Sequence, residues 1–292
     1  MNIKKLIAVT LSAATFALSL TACGGKSSDS SAGSSSAAES TTVKLGVVGS
    51  IYEDLWKPAQ ESLKAEGIDL EIVQFSDYAT PNNALNSGDI DLNAFQHQIY
   101  LDNEVEQQGY KIQSIGYTFI IPLNIYSHKV KAISDIKDGD VVAIPDDVTN
   151  GGRAIKVLAA AGLITLKEDA GFNPTLEDIK TYNTKITIKE LKANTIPSVL
   201  DDVTAAVVNG NYALDFGLKT EEAIYKDSVL DEEQYWNLIA ARTADLSDPD
   251  KVEIFRKVVE AYQSDATLEV FNTECRGFYT PAGWDQDLLP QT

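Results

Sequence analysis

The sequence is short of the residues that staple folds and carry most catalysis. Its 292 residues include two cysteines, two histidines and one methionine. One of the two cysteines, Cys23, follows what reads as a secretion signal and is assigned to that signal. Cys275 is then left without a partner, no intrachain disulfide is expected, and stability must come from packing. A zinc site needs three or four clustered ligands, and His97 and His128 stand apart with no cysteine beside them. No metal or cofactor is expected. There is no Gly-x-Ser-x-Gly elbow and no Gly-Lys-Ser/Thr phosphate loop. Acid pairs are inevitable by chance among 43 Asp and Glu residues, so no nucleophile and base stand out and the chain is read as a non-enzyme. Positive charge is also scarce: 24 Lys and Arg against those 43 acids give a formal net charge of −19. Nucleic acids and anionic lipid surfaces are bound through basic footprints, so neither is an expected partner.

Long apolar runs are missing as well. Leu6–Leu20 is uncharged and rich in Ala and Leu, but it falls short of the roughly 20 residues that span a bilayer core. Lys4 and Lys5 precede it and Leu20-Thr21-Ala22-Cys23 follows it. A basic start, a short apolar run and small residues before a cut make a secretory signal. The cysteine at the cut points to a bacterial lipoprotein: residues 1–22 removed, Cys23 acylated, and the chain held by lipid on the extracytoplasmic face of the cell membrane. An ordinary signal that happens to end near a cysteine is the alternative. Residues 23–41, rich in Ser, Gly and Ala, cannot bury enough surface to fold and read as a tether.

From Val43 the pattern alternates. Val43–Val48 and Leu70–Phe75 read as strands, and Tyr52–Ala65 reads as a helix with Leu55, Trp56, Ala59 and Leu63 on one face. A helix from Pro81 stopped by Gly88, a strand at Ile90–Phe95 and a helix at Gln98–Gln108 continue an α/β series. Ile112–Ser127 is a long extended stretch with Pro122 in its middle, read as a strand crossing to a second lobe. A second α/β series follows: strand Val141–Ile144, helix Asn150–Ala161, strand Lys185–Ile188, a helix at Lys189–Leu200 and strand Ala205–Val208. Trp236–Arg242 crosses back, and Pro249–Gln263 is a helix. The expected architecture is α/β with two lobes, residues 42–122 plus 239–292 and residues 123–238. Two crossover strands join them, and a cleft lies at the carboxyl ends of the strands.

Four runs fall at that cleft. Asp91–Tyr100 brings Phe95, His97 and Tyr100, which either wall an apolar pocket or pack the core. Ile144–Arg153 leads into a helix whose free amides and dipole suit an anion. Arg153 in the first turn opposes that dipole, so it either grips a ligand carboxylate or pairs with Asp146 or Asp147. Ala206–Tyr212 and Tyr235–Asn237 place Asn209 and Asn237 at a strand end and a strand start. Asparagine donates and accepts, which suits a zwitterion, and Asn-Gly is equally a turn dipeptide.

Together these runs resemble the methionine-binding lipoproteins of the NlpA type, the substrate-binding components of methionine ABC importers. The resemblance runs from about Val43 to Gly283. It is carried by Ser76-Asp-Tyr-Ala-Thr-Pro-Asn-Asn-Ala-Leu85, Gly88-Asp-Ile-Asp-Leu-Asn-Ala-Phe-Gln-His97, the run ending at Arg153, Val208-Asn-Gly-Asn-Tyr-Ala-Leu214 and Ala261-Tyr-Gln-Ser-Asp265. It implies a two-lobed, type II-like periplasmic-binding-protein fold, a monomer that delivers its ligand to a membrane permease. It implies Arg153 on the ligand carboxylate and Asn150, Asn209 and Asn237 on the amino-acid head. Phe95, His97, Tyr100 and Tyr78 would surround the thioether, His97 as a neutral ring. The sequence departs from the family at Ala94 and Ile99, where an aromatic and a proline are usual, at Ile51-Tyr52-Glu53 and at Pro122-Leu-Asn-Ile125. The head-group residues match, so an amino acid is implied, whether methionine, another apolar amino acid or a methionine-containing dipeptide. An amino-acid-modifying enzyme on this scaffold and a surface-displayed adhesin are the alternatives.

Overall fold

The computed structural model describes residues 40–291; the expected signal segment, Cys23 and nearly all of the expected tether lie outside the described residues. Strand β1 is Thr41–Val48, starting one residue inside the stretch expected as tether because the Thr41 amide donates to Gly67 O. Helix α1 (Ile51–Ala65) and strand β2 (Ile68–Phe75) follow. Next come α2 (Pro81–Ser87), β3 (Leu92–Asn93) and α3 (Gln98–Gln108). The chain continues through β4 (Ile112–Tyr117), β5 (Phe119–Ile120) and β6 (Asn124–Tyr126). The second series is β7 (Val141–Pro145), α4 (Val148–Ala160), β8 (Ile164–Leu166), β9 (Ile179–Tyr182), β10 (Thr187–Leu191), β11 (Ala205–Val208) and α5 (Gly210–Asp215). It ends with β12 (Leu238–Arg242), α6 (Pro249–Tyr262), α7 (Asp265–Thr273) and β13 (Thr280–Pro281). Among the described residues no helix is long and apolar enough to cross a membrane.

Two main sheets result, and the fold is two-lobed. The first has strand order β2-β1-β3-β12-β4, with β1 parallel to both neighbours and β12 antiparallel to both of its own. The second has order β10-β7-β11-β6, with only β6 antiparallel. Side chains alternate across a strand, so a strand buried on both faces feeds two cores. In β12, Ile239 and Ala241 join α1 and α6 through Trp56, Leu63, Phe255 and Tyr262, while Leu238 and Ala240 face Leu85 and Leu101 of α2 and α3. In β11, Ala206 and Val208 enter the same large core as β1, while Ala205 and Val207 pack under α4 with Ile155 and Leu158. Continuous apolar runs such as Ala205–Val208 are what two-sided burial demands.

Several expectations are corrected. Ile112–Ser127 is not one crossing strand but three short ones, broken at Thr118 and at Ile121–Leu123. Pro122 has no N–H for a ladder. The break is held instead by side chains: Ile121 O accepts from Arg153 Nη2 at 3.0 Å and the Leu123 amide donates to Asp227 at 3.1 Å. The helix expected at Lys189–Leu200 is absent. Thr187–Leu191 pairs in register with Val141–Pro145, and Ala193–Val199 forms 3-10 turns containing Pro197. The strand expected at Lys185–Ile188 is therefore shifted to Thr187, and that at Ile90–Phe95 shrinks to Leu92–Asn93. Phe95 onward turns away to form the site.

Candidate ligand-binding cleft

The parallel strands of both sheets end toward one cleft. The loops after β1, β3, β7 and β11 carry Gly49-Ser50, Phe95–His97, Asp146–Asn150 and Asn209, which is where open α/β sheets bind ligands. A cavity lies there, lined by all eight ligand residues expected from the sequence: Tyr78, Phe95, His97, Tyr100, Asn150, Arg153, Asn209 and Asn237. Tyr52, Gln96, the Ile121–Leu123 break, Gly210 and Asn211 also line it. Cys275 and His128 lie elsewhere, Cys275 buried in the large core and His128 against Asp201 at 2.8 Å.

Arg153 is buried, not paired on the surface with Asp146 or Asp147. Its Nη2 contacts Asp227 at 2.7 Å, with the two side chains 4% and 3% exposed. Its guanidinium carbon sits 4.4 Å from the Tyr235 ring centroid. A buried guanidinium needs such a partner, because an uncompensated charge in the interior costs several kcal/mol. The pair fixes the Arg153 plane and leaves Nε without a hydrogen-bond partner among the described residues.

The amides form a directional chain. Asp147 is the N-cap of α4, accepting from the Asn150 amide at 2.9 Å. Its two carboxylate oxygens also accept from Asn150 Nδ2, each at 3.1 Å. Asn150 Oδ1 then accepts from Asn209 Nδ2 at 2.8 Å and contacts His97 Nε2 at 3.3 Å. His97 caps α3, its Nδ1 accepting from the Tyr100 amide at 3.2 Å. Since Nδ1 accepts, Nε2 carries the ring proton and donates. Burial and the nearby Arg153 charge pull the His97 pKa down to about 3, so the ring is neutral at ordinary pH. Asn209 Oδ1 and Asn237 Nδ2, like Arg153 Nε, are buried without a partner among the described residues. Asn209 caps no helix with its side chain, so the turn reading of Asn209-Gly210 does not account for it.

The other end is aromatic. Tyr78 lies 4.9 Å from Tyr212 and 6.0 Å from Phe95, and Phe95 meets Tyr100 edge-on at 6.0 Å, by ring centroids. Tyr78 and Tyr100 hydroxyls are turned away into bonds with Asn211 Oδ1 at 2.5 Å and Tyr78 O at 3.0 Å. The loop carrying Phe95 and His97 is pinned from beneath by buried carboxamides: Gln96 Nε2 donates to Asn82 at 2.6 Å and to Asn93 at 3.0 Å. The two lobes are tied across the cleft by α5. Asn211 Nδ2 donates to Val48 O at 3.1 Å, and Asp215 accepts from Ser50 Oγ at 2.8 Å and from the Ile51 amide at 3.2 Å, capping α1 from the opposite lobe. Gly49 permits that approach: its φ is +104°, and a Cβ there would meet Asp215 Oδ2 at 2.5 Å.

Sequence reasoning missed Asp227, Tyr235 and Asn211 as parts of the site. Asp227 is 74 residues from Arg153 and carries no local pattern. Asn211 was within reach, as the second asparagine of the Asn209-Gly-Asn-Tyr run.

Two α/β lobes meeting over a cavity with a polar end and an aromatic end define a bilobal substrate-binding protein. The chain belongs to the NlpA lipoprotein family, whose profile matches residues 43–283. It is 41% identical over 241 residues to the D-methionine-binding lipoprotein MetQ of Salmonella typhimurium, covering 80% of this chain and 86% of that protein. It superposes with a TM-score of 0.77 on a nutrient binding protein from Burkholderia cenocepacia bound to methionine. That protein is 41% identical, and the match covers 82% of this chain and 99% of the other. The substrate binding protein of a methionine transporter from Streptococcus pneumoniae gives a TM-score of 0.78 at 32% identity, over 82% of this chain and 95% of the other.

Proposed function

We propose that this chain is the lipid-anchored, extracytoplasmic substrate-binding component of an ABC importer, that it binds free methionine, and that it hands the ligand to a membrane permease without altering it. One observation carries the reading. At the polar end of the cavity the buried groups left without partners among the described residues are two donors, Arg153 Nε and Asn237 Nδ2, and one acceptor, Asn209 Oδ1. Those groups complement an α-amino acid: a carboxylate accepts from Arg153 and Asn237, and an ammonium donates to Asn209. The thioether then lies among Tyr78, Phe95 and Tyr100, where polarizable sulfur packs well on ring edges. Lobe 1 is assigned to residues 42–122 with 239–292 and lobe 2 to residues 123–238. The cavity is complete within one chain, which supports a monomer, and acylation at Cys23 supplies the anchor. The names and ligands of the relatives above support methionine over other apolar amino acids.

The test is a thermal-shift screen of amino acids and dipeptides on the chain from Thr42 onward. A ligand at 100 times its Kd stabilises by about 2.7 kcal/mol. L- or D-methionine is expected to give the largest rise in Tm and to be recovered unchanged. No shift with any methionine, or conversion of the added compound, overturns the reading.

A further inference from the structure

We propose that Asp147, which does not line the cavity, sets the polarity of the amide chain and thereby makes the site select an ammonium over a hydroxyl at the ligand's α-carbon. The inference rests on the amino-acid reading above and adds a residue and a selectivity that it does not contain.

An asparagine amide can sit either way round unless a partner decides. A carboxylate is such a partner, because it only accepts. Both Asp147 oxygens accept from Asn150 Nδ2 at 3.1 Å, so Asn150 must present Oδ1 to its other neighbours. Asn209 must then offer Nδ2, which it does at 2.8 Å, and its Oδ1 is left facing the cavity as an acceptor. His97 adds a second constraint. The Tyr100 amide fixes Nδ1 as acceptor, so Nε2–H also requires Asn150 Oδ1. The direction of one carboxylate is thus passed through two amides to the ligand. An ammonium has only protons to give and needs the Asn209 acceptor. A hydroxyl both donates and accepts, so it is indifferent to which way Asn209 points. Selectivity arises from the penalty on the wrong orientation as much as from contact with the right ligand.

The experiment is isothermal titration of the wild-type chain and of Asp147→Asn with methionine and with its 2-hydroxy analogue, in which –OH replaces –NH3+. Asparagine keeps the N-cap of α4 but puts an N–H where Oδ2 accepted, so the orientation of Asn150 then rests on the 3.3 Å contact with His97 Nε2 alone, and Asn150 and Asn209 are free to sample the reversed orientation. Methionine affinity is expected to fall at least tenfold in Asp147→Asn, while the analogue changes less than threefold, so that the amine preference collapses. Asp147→Ser, which keeps the cap and can accept, is expected to lie between, and serves if the first variant folds poorly. If both ligands weaken equally, or neither does, Asp147 is merely a helix cap and the proposal falls while methionine binding stands. If the wild-type chain binds neither ligand, both readings fall.

Discussion

The two ends of the cavity are built on opposite plans. At the polar end most side chains are held by another polar group: Arg153 by Asp227 and Ile121 O, Asn150 by Asp147, Asn209 by Asn150. At the aromatic end Tyr78, Phe95, Tyr100 and Tyr212 are held mainly by one another and by burial, with tyrosine hydroxyls directed out of the way. A hydrogen-bonded end has a direction and cannot repack without leaving a buried donor or acceptor unpaired, a cost of about 1–3 kcal/mol for each neutral group. A ring-lined end has a shape, and shapes tolerate volume-conserving change. The polar end should therefore respond to substitution by loss of binding, and the aromatic end by graded changes in preference and stability.

The sharpest way to break the comparison is Arg153→Ala. It removes the donor proposed for the ligand carboxylate and also strands Asp227, whose side chain is 3% exposed. Leaving one partner of a buried pair alone costs roughly 3–5 kcal/mol. Methionine affinity is expected to drop by more than about 100-fold, since charged hydrogen bonds contribute roughly 1.5–3 kcal/mol each, and chemical denaturation should show the stability loss. The double variant Arg153→Ala/Asp227→Asn should regain stability without regaining affinity. Recovery of affinity as well would mean that Arg153 only supports the fold. At the other end, Phe95→Leu is expected to cost stability by about 1 kcal/mol and methionine affinity by less than about tenfold, with smaller losses for bulkier apolar ligands. An effect as large as that of Arg153→Ala would erase the distinction between the two ends.

The contrast also explains what the sequence made legible. Helical spacing exposed the face of α1, because Leu55, Trp56, Ala59 and Leu63 are a local pattern and all are buried. The site residues Phe95, His97, Asn150, Arg153 and Asn209 sit at strand ends and helix starts, again local cues. Asp227 and Asp215 were not legible, since each acts on a partner far along the chain, Arg153 and the start of α1. The same holds for the second half of the Ile112–Ser127 stretch, whose break at Pro122 depends on what Arg153 and Asp227 take from its backbone. The hairpin of β8 and β9 went unread because Ile164–Leu166 and Ile179–Tyr182 are short and the first lies against Leu163 in a local apolar cluster with no alternation. Long-range polar pairs leave no periodicity to read.

His97 stands between the two ends, capping α3, touching Asn150 and meeting Tyr100 and Tyr235 in T-shaped ring contacts. Its substitution gives the smallest expected effect at neutral pH and a characteristic one in acid. The folded chain holds the ring neutral, with a pKa of about 3, whereas an unfolded histidine protonates near 6.5. Between those values the unfolded state binds the extra proton, so stability contributed through His97 falls as pH drops from about 6.5 toward 3. His97→Asn keeps an acceptor for the cap and has no proton to take up. The Tm difference between wild type and His97→Asn is therefore expected to narrow steadily on acidification. Burial raises the Asp147 pKa and acts in the opposite sense, but Asp147 is present in both proteins and drops out of the difference. Methionine affinity of the wild type should stay level from about pH 5 to about 8, because a neutral ring has nothing to release in that range. A constant Tm difference, or affinity that falls through about pH 6.5, would mean that His97 is charged in the folded state. An imidazolium donates from both nitrogens, so His97 would then lose the cap it accepts from the Tyr100 amide while Nε2–H still faced Asn150 Oδ1.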